Sequence, residues 1–140
     1  MTSSRFATAV HVLTLLAMEG ERPVTSDYVA GSVNTNPVVI RRLLGMLAAA
    51  GLVSSTPGPA GGSRLARSPR EITLRDAWEA VESGELVGAH SAEPNARCPV
   101  GRHIQDLLAP RIEAAEHALM ASLAKTTIGD LIREVERAAR

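Results

Sequence analysis

Asn34-Thr35-Asn36-Pro37-Val38-Val39-Ile40-Arg41-Arg42-Leu43-Leu44-Gly45-Met46-Leu47 is the stretch whose reading decides the fold. Asn36 suits the position just before a helix, where its amide oxygen can accept a free backbone N–H. Pro37 suits the first helical position, where a missing N–H costs nothing. The predicted helix runs through Ala50 and stops at Gly51. Wound at about 100° per residue, Ile40, Leu43, Leu44 and Leu47 gather on one side. Val38, Arg42, Gly45 and Ala49 gather on the other, with Arg41 on the flank. One face is aliphatic and made for a core; the other is small, and its only charge is arginine.

Working outward, Ser4 is placed to cap a helix from Arg5 to about Glu19, with Phe6, Val10, Leu13 and Leu16 or Ala17 recurring on one face. Gly20 and Pro23 end it, and Thr25 or Ser26 starts a short second helix with Tyr28, Val29 and Val33 as its apolar positions. Beyond Gly51, Leu52–Thr56 and Ser63–Ala66 read as a β-hairpin around a glycine- and proline-rich tip, Pro57–Gly62. Thr73 caps a fourth helix through Val81 or Glu82 that turns Ala77, Trp78 and Val81 inward. Residues 83–97 are loop-like. From Pro99 a helical stripe of Val100, Ile104, Leu107, Leu108, Ala115 and Leu119 follows, with Ile112 at its edge and Arg111 on it. Pro110 inside this stripe should kink or restart the helix. Thr126 or Thr127 caps a last helix carrying Ile128, Leu131, Ile132 and Val135.

Helix, helix, turn, helix and hairpin in that order predict a mainly α fold with a small β-wing. The expectation is a winged helix-turn-helix DNA-binding domain over 1–82, a loop or linker over 83–98 and a helical dimerisation region over 99–140, forming one compact unit.

Composition narrows the function. The chain has 140 residues, of which 45% are apolar and only 2% aromatic, so its core is built from aliphatic side chains. No apolar run is long enough to cross a membrane, and the first residues lack the pattern of a secretion signal. With one cysteine, Cys98, the expected location is the cytoplasm. There is no nucleophile motif, phosphate loop or metal-ligand pattern, which argues against an enzyme and against a metal site. His103 is the histidine nearest Cys98, and it lies at no trusted ligand spacing. The formal net charge is zero, but residues 1–67 carry six arginines against three acids, whereas residues 68–140 carry nine basic and twelve acidic residues. A basic half joined to an acidic half fits a nucleic-acid partner weakly.

The small arginine-bearing face suits a major groove, where Arg41 and Arg42 can reach guanine or phosphate and Val38 lies between them and the helix start. Thr35 and Asn36 offer hydroxyl, amide and backbone N–H groups at the helix N-terminus. The tip around Gly61 and Gly62 has no bulky side chain to keep it from a minor groove. Arg64 and Arg67 lie just behind it, and Arg5 at the first helix start is a further candidate for phosphate. The plainer readings are a solvated arginine pair and an ordinary tight turn. The alternative function is a winged-helix module that binds protein and not DNA, which the zero net charge favours.

Ser4-Arg5-Phe6-Ala7, Ser32 through Leu43, Ala50-Gly51-Leu52-Val53, Gly58 through Ala66, Ile72 through Ala77 and Cys98-Pro99-Val100-Gly101 together resemble the Rrf-two family of winged-helix regulators, the BadM, IscR, NsrR and CymR type. Within it the chain resembles the cluster-free YwnA-like members. The resemblance covers nearly the whole chain. It implies a DNA-binding repressor or activator, dimeric through the long C-terminal helix, with Ile104, Leu108, Ile112, Ala115 and Leu119 at the interface and a near-palindromic operator on double-stranded DNA. The family's iron–sulfur members carry three cysteines in the region matching 85–105. Cys98 alone does not supply a cluster's thiolates, so no cofactor is expected. Cys98, with Arg97, Arg102 and His103 near it, is a candidate redox sensor, against the alternative of a buried or half-buried cysteine at a helix start. An unknown small effector, between the fourth helix and the C-terminal helix near Trp78, is a further conceivable partner.

Overall fold

Each predicted helix forms, and its ends are set by local chemistry. The structure, a computed structural model, describes residues 4–82, 86–87 and 90–140. The elements are α1 (Arg5–Glu19), α2 (Ser26–Val33), α3 (Pro37–Ala49), β1 (Val53–Thr56), β2 (Gly62–Leu65), α4 (Leu74–Val81), α5 (Pro99–Leu123) and α6 (Ile128–Ala138), with a 3-10 turn at Pro69–Glu71. The mainly helical fold with a small two-stranded antiparallel sheet is the one expected.

Thr25 starts α2 by accepting the Tyr28 N–H at 3.1 Å. Asn34 ends it in the left-handed conformation, φ 65°, and sends its N–H to the Ala30 carbonyl. Asparagine tolerates this geometry better than most residues. Ser4 precedes α1 but makes no side-chain cap; its carbonyl takes the Thr8 N–H and hydroxyl instead. Tyr28, expected inward, is exposed, and its hydroxyl donates to Glu19 at 3.0 Å. Ala30 joins Val29 in the core in its place.

The core is aliphatic. Ala9, Val12, Leu13 and Leu16 of α1 pack with Ile40, Leu43, Leu44 and Leu47 of α3, and Ile72, Ala77, Val81 and Ile128 extend the cluster. The buried face of α1 is turned from the expected one, leaving Phe6, Val10 and Ala17 partly covered at its margin. Phe6 meets Trp78 of α4 edge-to-face, ring centres 5.2 Å apart.

The described residues divide into two compact units, not one, and the division is not at residue 98. Residues up to Glu82 and Leu123–Arg140 make the first; the second ends at Ser122. The return of α6 to the first unit has a local cause. The Leu74 N–H donates to the Thr126 carbonyl at 2.9 Å and the Ile128 N–H to the Ile72 carbonyl at 2.8 Å, tying the start of α6 to the start of α4. The two helices also carry the same capping box, Thr73 with Asp76 and Thr127 with Asp130. Parts of the expected loop, residues 83–85 and 88–89, lie outside the described residues.

All but the last residue of α5 lies in the second unit; the helix runs 25 residues without burying one of them, and Pro110 neither ends nor restarts it. A proline in a helix disturbs the hydrogen bonding of the preceding turn. The Arg111 guanidinium donates to the Leu107 carbonyl at 2.7 Å, one residue beyond the Asp106 carbonyl that faces Pro110. The cysteine before this helix, Cys98, is exposed, neither buried nor half-buried as the alternative to a sensor expected.

Candidate nucleic-acid interface

The two-faced character read for α3 is what the structure shows. Ile40, Leu43, Leu44 and Leu47 are buried, while Val38, Arg41, Arg42, Gly45 and Ala49 are exposed. Asn36 caps the helix, its Oδ1 accepting the Val38 N–H at 2.8 Å, and Pro37 follows at the first position. No acidic side chain lies on α3, and among the described residues neither Arg41 nor Arg42 is held in an ion pair. A methyl group added at Gly45 would meet no atom within 4 Å, so this glycine serves no packing need inside the chain. Both guanidinium groups are therefore available, on a face with no side chain at its centre to hold a flat or concave partner away.

The wing pairs Val53 with Leu65 and Thr56 with Gly62 in antiparallel register. It is anchored to the segment before α2: the Val24 N–H donates to the Ser63 carbonyl at 2.9 Å, and the Ser63 N–H returns to the Val24 carbonyl at 2.8 Å. This anchor explains the two tip glycines differently from the sequence reading. A Cβ at Gly62 would lie 2.7 Å from the Val24 carbonyl oxygen, and one at Gly61 would lie 1.9 Å from the Thr56 carbonyl oxygen. The absent side chains make room for backbone: Val24 of the segment before α2 at Gly62, and Thr56 of the wing itself at Gly61. The exposed part of the tip is Pro57–Ala60.

Among the expected phosphate contacts, Arg64 lies on β2 with its guanidinium 3.5 Å from the carboxylate of Glu21. Both side chains are exposed, so the pair is weak and open to exchange for another anion. Arg67 is exposed beyond the strand. Arg5 pairs with Glu82 at 3.4 Å and so links the start of α1 to the end of α4. Thr35 is half-buried. The sequence reading assigned Val39 to neither face of α3; it is 46% exposed beside Val38 at 51%.

The candidate sensor site offers little to a metal. Cys98 is the only cysteine and is exposed. Among the described residues no three His, Cys, Asp or Glu side chains gather as a metal site. An iron–sulfur cluster is held by about four protein ligands, most of them thiolates, and a chain with the single thiol of Cys98 does not fit one. A groove of about 520 Å³ does open in the first unit, between α1, α2 and α6, lined mainly by Leu15, Met18, Leu131 and Val135 with His11 and Ser32 hydrogen-bonded to each other at 2.9 Å on its wall. Among the described residues no helix is long and apolar enough to cross a membrane.

Comparison with known proteins places these features in a family. The model of the Rrf2 (Rrf-two) family, described as iron-dependent transcriptional regulators, matches residues 2–134. YwnA of Bacillus subtilis (strain 168), named as an HTH-type transcriptional regulator, is 36% identical over 135 residues, covering 96% of this chain and 99% of YwnA. A crystal structure of a protein described as DNA binding is 34% identical with a TM-score of 0.75, covering 92% of this chain and 99% of that one. The structure of IscR from T. potens is 26% identical with a TM-score of 0.73, covering 100% of this chain and 91% of IscR.

Proposed function

The chain belongs to the Rrf2 family of transcriptional regulators, not of enzymes, and on that premise we propose that it is a cytoplasmic repressor that binds a near-palindromic operator as a homodimer, without an iron–sulfur cluster. The observation that carries the reading is α3: an exposed face with two arginines that have no ion-pair partner among the described residues, an open glycine and no acid, on a helix whose other face is locked into the core. A major groove admits such a helix, and arginine matches the acceptors of guanine and the phosphates beside it. The wing, with Arg64 and Arg67, flanks the same duplex.

The dimer rests on α5. The 25-residue α5 buries none of its residues and leaves Val100, Leu107 and Leu108 open to solvent, with Ile104, Ile112 and Leu119 half-buried, so among the described residues its apolar stripe is not fully covered. A second copy across a two-fold axis covers it with an identical stripe. Ile104, Leu108, Ile112, Ala115 and Leu119 are the residues proposed to meet there. Two recognition helices so related reach successive major grooves about 34 Å apart, which is why the operator is near-palindromic. Repression follows from occupancy, because a dimer on a promoter blocks polymerase. The exposed thiol of Cys98, at the start of the dimer helix, is proposed as the point where oxidation alters that geometry.

The test is binding of the purified protein to the DNA upstream of its own gene, against an unrelated fragment, at two salt concentrations. Preference for the upstream fragment, with affinity falling as salt rises, is the expected result, and Arg41→Ala and Arg42→Ala remove the preference. Binding to neither fragment overturns the reading. For the thiol, oxidant weakens binding by the parent and not by Cys98→Ser; equal responses remove the sensor from the proposal.

A further inference from the structure

The outer face of α3 limits what it can read. Its thirteen residues, Pro37–Ala49, include no carboxylate, amide or hydroxyl. Asn36 stands just before its first turn rather than on its outer face, and one lone pair of its amide oxygen already takes the Val38 N–H. The side chains of this face therefore donate hydrogen bonds, through arginine, and accept none. Adenine N6 and cytosine N4 are donors and need an acceptor, such as an amide oxygen or a carboxylate, to be recognised directly. Guanine O6 and N7 accept, and thymine adds a methyl group.

Two valines stand where solvated residues are ordinary. The first turn of a surface helix favours acids, which complement the helix dipole, and valine is a poorer helix former than many polar residues. Yet Val38 is 51% and Val39 46% exposed, and neither belongs to the core. Val38 and Arg42 are four residues apart, so they neighbour each other on the outer face. Their separation along the axis is about 6 Å, one to two base-pair rises of ~3.4 Å.

Resting on the proposed groove entry of α3, we infer that this face is specific for a guanine next to, or one removed from, a thymine: Arg42 takes guanine O6 and N7, and the methyls of Val38 pack on the thymine methyl. The discrimination against cytosine in place of thymine comes from that methyl contact and not from a hydrogen bond.

The test begins with duplexes selected from a random pool by the full-length protein. In the selected sequence each thymine is replaced in turn by uracil, which removes the methyl, and each guanine by 7-deazaguanine, which removes N7. Burial of one methyl corresponds to about fourfold in affinity. The expected result is one thymine per half-site at which uracil weakens binding about fourfold, a penalty absent in Val38→Ala. One or two pairs away, a 7-deazaguanine penalty is absent in Arg42→Ala. An unchanged melting temperature shows that these exposed substitutions leave the fold alone. If Arg42→Ala loses its guanine penalty but no uracil substitution matters, or Val38→Ala keeps the uracil penalty, the methyl reading is overturned and groove entry stands. If Val38→Ala, Arg41→Ala and Arg42→Ala all select the parent's sequence, groove entry itself fails, and the inference with it. Selection of no sequence by the parent overturns both.

Discussion

Replacing Gly62 by alanine should unfasten the wing from the body of the domain. The new Cβ would lie 2.7–2.8 Å from the backbone of Val24, closer than a methyl and a peptide group can approach. Backbone cannot step aside as a flexible side chain can, so β2 must move away from Val24. That movement breaks the two hydrogen bonds between Val24 and Ser63, 2.9 and 2.8 Å long. At about 1 kcal/mol net for each bond, the loss is about 2 kcal/mol, to which uncovering Val24 and Ser63, now 3% and 5% exposed, adds. For a unit of this size that corresponds to a fall in melting temperature of roughly 10 °C. Urea unfolding followed by circular dichroism measures the free energy. Gly31→Ala is the control, because a Cβ there meets nothing within 4 Å. If Gly62→Ala unfolds within about 0.5 kcal/mol of the parent, the scale of an ordinary surface substitution, the wing is not held by Val24 and the reasoning is wrong. With the anchor lost, DNA affinity falls as well, because Arg64 leaves with the strand.

Gly45→Ala should separate stability from binding: it raises stability by about 0.5–1 kcal/mol, as alanine does for glycine inside a helix, whereas Gly45→Glu leaves the melt close to the parent's and abolishes binding to operator DNA in a gel-shift assay. Thr127→Ala removes the cap of α6 and costs about 1 kcal/mol in urea unfolding. The acid limb of the stability curve should carry Asp130. Its carboxyl is held below the usual carboxylate range, first by the hydrogen bond from the Thr127 backbone N–H. The native state thus favours the charged form. The contribution is fully present above the ordinary carboxylate pKa of about 3.9 and is lost as pH falls through the lower folded value. Asp130→Asn should flatten the unfolding free energy over that acid window, and an unchanged slope there would remove the role assigned to the carboxyl. Leu108→Glu places a charge on the stripe of α5; if the proposed dimer forms there, light scattering should report a dimer for the parent and a monomer for the variant, with the helical circular dichroism of the first unit retained.

Local chemistry made most of the first unit legible. Thr25, Asn36, Thr73 and Thr127 stand one residue before four helices, because a side-chain oxygen at that place satisfies a backbone N–H whatever the rest of the fold does. The aliphatic period of Ile40, Leu43, Leu44 and Leu47 fixed which side of α3 faces the core, and with it the arginine-bearing side that faces out. Tertiary packing decided what such patterns leave open. Leu13 and Leu16 are buried as expected, but α4 and α6 both pack on α1 and bring Ala9 and Val12 into the core, leaving Phe6 and Val10 at its margin. Tyr28 looks apolar in the sequence, and only the nearness of Glu19 sends it outward. Gly61 and Gly62 read as a bare tip built for a ligand, yet Gly62 is required by a strand lying against Val24, thirty-eight residues earlier in the chain, and Gly61 by the close approach of the Thr56 carbonyl. The return of α6 to the first unit depends on hydrogen bonds between the backbones of Ile72, Leu74, Thr126 and Ile128. Capping and periodicity act over three or four residues and are written in the sequence; the partners of a backbone amide fifty residues away are not, because every residue presents the same amide, and only the folded chain chooses between them.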